Sequence, residues 1–249
     1  MALQEEFEKR GNWLFRYRGS LPLIVLVAGL AFYLFTKRYP ERFTLLGDSI
    51  PVAYPFICFS VSVLGLVIRI LTVGHTAKNT SGGNVMKQVA EQVNTTGAYS
   101  MVRHPLYVGN FLMWLGPTLL TGHSWFILLI CLVFWLYYER IMFAEEQFLR
   151  NKFGAPYLEW ASRIPPFIPR FRNYRKATIP FNWKKVVKKE KNGVTALFIV
   201  FALFDVTGKL VTGDRDYNYF FLGGTLFTIV MYLLIKLLRK RTSLLVERN

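Results

Sequence analysis

The sequence predicts an all-α, polytopic integral membrane protein with about six transmembrane helices, two of which form a helical hairpin. Two observations carry this prediction. The 249 residues are 53% hydrophobic with a mean hydropathy of +0.28, which is too apolar for a soluble domain or a disordered chain of this size. The hydrophobic residues are also concentrated in long runs that carry almost no charge, as membrane-spanning helices require.

Six apolar runs follow one another along the chain. They cover residues 21–35, about 51–73, 106–120, 125–138, about 194–211 and 219–238. The first run follows a basic arm and lacks a small-residue cleavage site after it, which indicates an anchor helix rather than a cleaved signal. Residues 121–124 are predicted to form the turn of the hairpin. The first arm of the hairpin would rise only about 22 Å, short of a roughly 30 Å hydrocarbon core, so it should tilt or stop short of a full crossing.

The charges are distributed unevenly between the two sides of the predicted membrane. The chain has 31 Lys and Arg against 15 Asp and Glu, and six crossings place 25 of the 31 basic residues on one side. The positive-inside rule therefore predicts that both termini are cytoplasmic. Residues 139–193 carry 13 of these basic residues and form the largest polar segment, so the active site is expected there, on the cytoplasmic side. Because topology explains the charge, no nucleic-acid partner is predicted.

The chain divides into two predicted units. A composition shift near Lys191 predicts a core of residues 1–191 and a two-helix membrane extension of residues 192–249. No internal repeat is evident, which disfavours a transporter built from repeated halves. Asp205 and Lys209 share one helix face in the extension and are interpreted as neutralising each other, although charges inside a membrane are often functional. Cys58 and Cys131 lie in apolar runs and indicate neither a disulfide nor a metal site.

Residues suited to chemistry are concentrated in residues 94–109, just before the hairpin. Pro105 disfavours helix at His104, so Arg103 and His104 are expected on a non-helical elbow where the membrane helix begins. Free backbone N–H groups at a helix start attract anions, and Arg103 adds a planar fork suited to carboxylate or phosphate. An interfacial anchor, with a snorkelling arginine and tyrosines in the aromatic belt, explains the same residues equally well.

Two blocks of sequence indicate a more specific interpretation of these residues. Residues 95–109 read TTGAYSMVRHPLYVG, and residues 145–165 contain EEQFL, FGAPYLEW and RIP in that order. Together they resemble the signature of the isoprenylcysteine carboxyl methyltransferase and phospholipid methyltransferase family, a group of integral membrane enzymes that use S-adenosylmethionine. The resemblance covers roughly residues 94–166, with the hairpin between the blocks. The better-known eukaryotic members of the family end soon after the second block, whereas this chain continues with a basic linker and two more predicted spans.

The resemblance implies a cytoplasmic pocket for S-adenosylmethionine. No metal site is predicted. His104 and nearby backbone N–H groups are expected to take the carboxylate of the cofactor, and Glu145 or Glu146, at the start of a helix, its amine or ribose hydroxyls. Tyr99 or Tyr107 would line the purine or the sulfonium. The full set of implied cofactor-binding residues is Gly97, Tyr99, His104, Pro105, Tyr107, Gly109, Glu145, Glu146 and Tyr157.

The same resemblance points to Arg103 and Arg163 as catalytic residues that hold an anionic acceptor. Methyl transfer mainly requires that donor and nucleophile are aligned and water is excluded, and an anionic oxygen needs no base. The predicted acceptor is a membrane lipid or lipidated substrate that carries a prenylcysteine-type carboxylate or a lipid phosphate. A phospholipid amine is less favoured, because two arginines would repel an ammonium group.

Two other functions compete with this interpretation. Membrane sterol or steroid reductases that use NAD(P)H carry a similar Arg-His-x-x-Tyr-x-Gly segment, but usually with an acidic residue after the glycine, where this chain has Asn110. A transporter or structural membrane protein would need polar residues at a midplane cavity, and only Asp205 and Lys209 qualify. The sequence predicts no oligomeric state.

Overall fold

The fold was analysed in a computed structural model that describes residues 2–39, 52–77 and 90–241. Part of the predicted charge count, and the beginning of the predicted 51–73 span, lie outside these ranges. Within them the chain forms eight α-helices: α1 Leu3–Arg16, α2 Leu21–Arg38, α3 Tyr54–Gly74, α4 Pro105–Leu119, α5 Ser124–Phe153, α6 Ala155–Arg163, α7 Trp183–Thr212 and α8 Tyr219–Arg241. Single 3-10 turns occur at Ala98–Ser100 and Phe171–Asn173.

Four of the described helices are long and apolar enough to cross a membrane, namely α3, α5, α7 and α8. The prediction of a helical membrane protein is therefore confirmed. Helices α2 and α4 coincide with two more predicted spans but are shorter, at 18 and 15 residues. Helix α5 has 30 residues and is about 45 Å long at 1.5 Å per residue, so it extends well beyond a bilayer core.

Helices α3 and α4 pack closely because three glycines face the contact. A Cβ atom at Gly65 would overlap the Gly109 carbonyl, and one at Gly116 would overlap the Ser62 hydroxyl and the Cys58 carbonyl. The Ser62 hydroxyl donates to the Met113 carbonyl at 3.0 Å across the same contact. In lipid, where apolar burial drives helix association only weakly, such close approach supplies the packing energy.

A cluster of aromatic side chains joins α3 to α7 and α8. Phe201, Phe204 and Phe221 are almost completely buried, and Phe59 of α3 lies with its ring centroid 5.1 Å from that of Phe201 and 5.4 Å from that of Phe221. Aromatic pairs at these separations are favourable beyond their buried area. The last two spans are therefore packed into the helical core rather than appended to it.

The predicted domain boundary at residue 191 lies inside α7, which is one continuous helix. The division into a core and an extension stays a prediction. Within the extension, the Lys209 ammonium lies 3.7 Å from Asp205 Oδ1, and Asp205 Oδ2 accepts the Asn218 backbone N–H at 2.8 Å. Asp205 thus contacts both its helical neighbour and the residue that precedes α8.

The N-terminal arm forms helix α1, which packs along the C-terminal half of α5. The Arg140 guanidinium lies over the Phe7 ring at 3.3 Å from its centroid, and the Tyr137 hydroxyl donates to the Leu14 carbonyl at 3.1 Å. Gly11 permits this approach, because a Cβ there would lie 2.8 Å from Ala144 Cβ. Helix α1 therefore covers one face of the segment that carries the second signature block.

After α6 the chain crosses the segment of residues 96–104 as a strap, defined here as residues 165–176. Backbone N–H groups of Arg103 and His104 donate to the carbonyls of Pro165 and Pro166 at 2.9 and 3.2 Å. Further along, the backbone N–H of Gly97 donates to the Arg175 carbonyl at 2.9 Å. The strap therefore holds the first signature block along most of its length.

Candidate active site

The elbow predicted at the start of the hairpin is confirmed. Pro105 is the first residue of α4, and His104 before it has non-helical backbone angles, φ −122° and ψ 61°. The backbone N–H groups of Arg103 and His104 are not available for a ligand, because they donate to the strap. The expectation that backbone N–H groups here would take a carboxylate is wrong for these two residues.

The two signature blocks meet at Glu146. Its Oε2 lies 2.7 Å from Nη1 of Arg103, and its Oε1 lies 2.9 Å from Nε2 of His104. The neighbouring Glu145 accepts a hydrogen bond from the Tyr107 hydroxyl at 2.8 Å and lies 3.5 Å from Nδ1 of His104. The structure thus brings together five predicted site residues from both sides of the hairpin.

The sequence led us to expect the two glutamates at the start of a helix, and this expectation is wrong. They lie within α5, which continues through residues 139–153 as a single helix. Glu145 and Glu146 therefore project from the α5 segment beyond the predicted span toward the elbow, and Arg18 of the N-terminal segment approaches Glu145 at 3.8 Å. The cluster pairs two carboxylates with two arginines and one histidine.

Burial and charge alter the proton affinity of the groups in this cluster. Burial by itself would lower the pKa of His104, but the carboxylates of Glu145 and Glu146, which bond its ring, raise the pKa overall. Burial raises the pKa of Tyr99, and the charge of Glu145 raises it further. The Tyr99 hydroxyl therefore keeps its proton near neutral pH and can donate a hydrogen bond, and the carboxylates favour the protonated form of the His104 ring.

Three buried donors at this site make no hydrogen bond within the described part of the chain. They are Nε of Arg103, the hydroxyl of Tyr157 and the indole Nε1 of Trp160. Tyr157 is 2% exposed, and its ring centroid lies 5.7 Å from that of Trp160. Burial raises the pKa of Tyr157, and Glu146 raises it further while Arg103 opposes the change. Unpaired buried donors are costly, so these three fit an acceptor group that a ligand would supply.

Arg163, the second predicted catalytic residue, is not joined to Arg103 by any contact among the described residues. Its side chain is 69% exposed, and its guanidinium lies 2.7 Å from the Glu159 carboxylate, one turn back on α6. The backbone nonetheless keeps the two arginines in one region, because Pro165, two residues after Arg163, accepts the Arg103 N–H.

The remaining predicted residues are in contact with neighbouring elements. Gly97 has φ +62°, and a Cβ there would lie 3.3 Å from Ala177 Cβ. A Cβ at Gly109 would lie 2.6 Å from Cγ of Arg69 in α3. Pro105 is buried at the start of α4. These three positions shape the backbone around the cluster rather than contribute a polar group to it.

Sequence reasoning missed Arg69 and Glu190. Arg69 of α3 makes two bonds to Glu190 of α7, at 2.9 and 2.8 Å, and its Nη1 also donates to Asn110 of α4. Asn110 in turn donates to the Tyr138 hydroxyl at 3.3 Å. A signal was present, because Arg69 is the one charged residue in the apolar run of residues 51–73. No cluster of three or more side chains able to hold a metal occurs among the described residues.

The fold and the cluster together define a class of protein. It is a helical membrane protein with a charged site where the elbow before α4 meets the C-terminal part of α5. Comparison with family models shows which known family part of the chain is similar to. Residues 55–156 match the model of the phospholipid methyltransferase family. The predicted resemblance to this family is therefore confirmed for these residues. The match begins in α3 and ends at the start of α6, so it includes the elbow and Glu146.

Curated relatives agree with this match. The chain is 31% identical over 124 residues to a protein-S-isoprenylcysteine O-methyltransferase of Schizosaccharomyces pombe, covering 47% of this chain and 52% of that protein. It is 30% identical over 112 residues to protein-S-isoprenylcysteine O-methyltransferase B of Arabidopsis thaliana, covering 43% and 55%. It is also 40% identical over 81 residues to the cobalt-zinc-cadmium resistance protein CzcN of Cupriavidus metallidurans, covering 32% and 37%. The chain thus spans about half, or less, of the curated relatives that it matches. No solved structure matches it.

Proposed function

We propose that the protein transfers a methyl group from S-adenosylmethionine to an anionic oxygen on a membrane-embedded lipidic acceptor. The observation that carries this proposal is the meeting of Arg103 and His104 with Glu146, which joins the two signature blocks within hydrogen-bond distance. The names of the relatives favour a prenylcysteine-type carboxylate over a lipid phosphate as the acceptor.

The residues present fit the cofactor. S-adenosylmethionine, when bound, supplies an electrophilic methyl group on a sulfonium. The carboxylates of Glu145 and Glu146 suit its cationic sulfonium and amine, and the unpartnered donors of Tyr157 and Trp160 suit its carboxylate or the acceptor. Tyr99 lies near Glu145 and supplies an aromatic wall.

Arg103 is the residue that we propose to hold the acceptor oxygen. Its Nη1 is paired with Glu146, while its buried Nε makes no hydrogen bond to the described residues and can donate to an anionic oxygen. Arg163 is proposed as the second acceptor ligand, which requires that it leave its exposed pair with Glu159. Side chains that orient donor and acceptor in a dry site provide most of the rate enhancement such a displacement needs.

We further propose the membrane arrangement that serves this chemistry. Helices α2 and α4 complete six crossings, both termini face the cytoplasm, and the acceptor enters laterally between helices. The support is the charge distribution, since 13 of the basic residues lie in residues 139–193, which include the cluster. The protein is then an integral membrane enzyme whose active site opens to the cytoplasm.

Binding measurements test the cofactor assignment. Detergent-purified protein is titrated calorimetrically with S-adenosylhomocysteine and, separately, with NADPH. The proposal predicts binding of the first alone, and binding of NADPH alone would establish a reductase instead. Glu146→Ala should weaken S-adenosylhomocysteine binding, and unchanged affinity in that variant would remove Glu146 from the cofactor site.

Turnover measurements with labelled donor test the acceptor. Prenylcysteine carboxylates, lipid phosphates and phosphatidylethanolamine are compared, and the carboxylate should be methylated fastest. Arg103→Ala should lower turnover about 100-fold, as removal of one charge-stabilising donor typically does, with little change in S-adenosylhomocysteine affinity. Equal losses of turnover and affinity would instead place Arg103 in the cofactor site.

A further inference from the structure

The segment around the strap has an unusual composition. Residues 160–189 contain nine Lys and Arg and no Asp or Glu. Four large apolar side chains are interleaved with these charges and are strongly exposed: Ile168 (76%), Phe171 (76%), Tyr174 (59%) and Trp183 (68%). Clusters of exposed apolar residues are unusual on a surface that faces only water, and they mark interaction sites.

The strap lies where apolar helices end. Phe167, next to the exposed Ile168, packs its ring 5.9 Å from that of Phe111 in α4 and 5.5 Å from that of Trp135 in α5. Both partners belong to predicted membrane spans. Phe181, which lies just before α7, is in close contact with the end of α3, since a Cβ at Gly74 would overlap the Phe181 ring. The exposed apolar side chains therefore lie near the ends of predicted membrane spans.

The basic side chains of this surface are turned outward. Arg170, Arg172, Arg175, Lys176 and Lys184 are all exposed. None of them has an acidic neighbour in sequence, so the surface has a strong positive potential. Arginine and lysine beside aromatic residues at a membrane surface attract anionic headgroups while the apolar side chains enter the boundary of the acyl chains.

We propose that residues 165–184 form a binding surface for anionic phospholipid headgroups of the membrane leaflet next to the strap. Arg170, Arg172 and Lys176 contact headgroup phosphates, and Ile168 and Phe171 insert between the lipids. A purely topological excess of positive charge would not require exposed apolar residues among the charges. The strap holds the first signature block through its backbone, whereas the proposed lipid contacts are made by its exposed side chains. The lipid proposal therefore does not rest on the proposed methyl transfer.

Lipid selectivity in nanodiscs tests the surface. The protein is reconstituted in phosphatidylcholine that contains a small share of one labelled lipid. That lipid is either phosphatidylglycerol or phosphatidylcholine, and both carry the same fluorescent acceptor on an acyl chain. Energy transfer from tryptophan to the labelled lipid is then measured. The ratio of transfer to the two labelled lipids reports enrichment of the anionic lipid. We expect a ratio well above one for the unaltered protein at 0.1 M NaCl, falling toward one at 1 M NaCl, where the Debye length shortens from about 10 to about 3 Å.

The triple variant Arg170→Gln, Arg172→Gln, Lys176→Gln should lose this selectivity, with a fall of about tenfold in anionic-lipid enrichment. The matched control is the triple variant Arg239→Gln, Lys240→Gln, Arg241→Gln, which removes three charges at the exposed end of α8. This control should keep the selectivity for the anionic lipid. A ratio near one in the unaltered protein at low salt would overturn the proposal. So would an equal loss in both triple variants, or no loss in the strap variant. The low-salt measurement needs no substitution, so a ratio near one overturns the proposal even if the strap variant fails to fold.

Discussion

Arg69 and Glu190, which are 121 residues apart in sequence, form a bidentate ion pair inside the helical core. Nε and Nη2 of Arg69 lie 2.9 and 2.8 Å from the two carboxylate oxygens of Glu190, whose side chain is 3% exposed. The pair joins α3 to α7, and Arg69 also bonds Asn110 of α4. A C-terminal helix beyond the matched family region is therefore tied to the helix that begins at the elbow.

Glu190→Ala should destabilise the protein strongly, because it leaves the largely buried Arg69 guanidinium without its counter-charge. The expected loss is about 3 kcal/mol, which is measured as a lower melting temperature in detergent. The matched control is Glu159→Ala, which breaks the exposed Glu159–Arg163 pair and should change the melting temperature very little. Similar small changes in both variants would mean that the Arg69–Glu190 pair does not stabilise the fold.

Gly116→Ala should also destabilise the protein, for a steric reason. A Cβ at Gly116 would overlap atoms of Ser62 and Cys58, so α3 and α4 would have to separate. Overpacking of this kind costs about 1–3 kcal/mol. Gly223→Ala in α8 is the control, since a Cβ there meets nothing within 4 Å and alanine favours helix by up to about 1 kcal/mol. In thermal unfolding, the melting temperature of Gly223→Ala should be higher than that of the unaltered protein, and the melting temperature of Gly116→Ala should be lower.

The spans could be predicted from the sequence because apolar runs are a local signal. The extension of α5 through residues 139–153 could not, because its polar residues ended the apolar run although they are good helix formers. The Arg69–Glu190 pair could not be predicted either, because no sequence periodicity links two residues in different helices. A charge inside an apolar run was the only local sign of it.

The candidate site was predicted only in part. The motifs indicated which side chains belong to the site, and the structure brings Arg103, His104, Tyr107, Glu145 and Glu146 together. The motifs could not indicate that the strap occupies the backbone N–H groups of the elbow, because that contact depends on a loop about 60 residues away. They also gave no sign that Arg163 would pair with Glu159 on an exposed helix face.

His104 should make the stability of the protein depend on pH. Its pKa is raised above 6.5 in the folded protein by Glu145 and Glu146. The protonated ring therefore contributes its full stabilisation below the unfolded pKa of 6.5, and this contribution is lost as the pH rises through the raised folded value. The melting temperature of the unaltered protein should exceed that of His104→Gln most below the unfolded pKa of 6.5, and the difference should shrink as the pH rises above that value. A difference that grows with pH would contradict the assigned direction.

Tyr157→Phe separates a ligand-binding role from a structural one. The Tyr157 hydroxyl is buried and makes no hydrogen bond to the described residues, so its removal should leave the melting temperature unchanged or slightly raised. If the hydroxyl donates to a ligand, S-adenosylhomocysteine affinity or turnover should fall about tenfold, the value of one hydrogen bond of about 1.4 kcal/mol.

Tyr54→Phe is the control for this comparison, because its hydroxyl donates to the Leu119 carbonyl at 2.6 Å, away from the cluster. That variant should lose about 1 kcal/mol of stability and keep its ligand affinity and turnover. The two tyrosines should therefore give opposite patterns in calorimetric titration and thermal unfolding. If Tyr157→Phe behaved like Tyr54→Phe, the unpartnered donors beside Arg103 would have no part in binding.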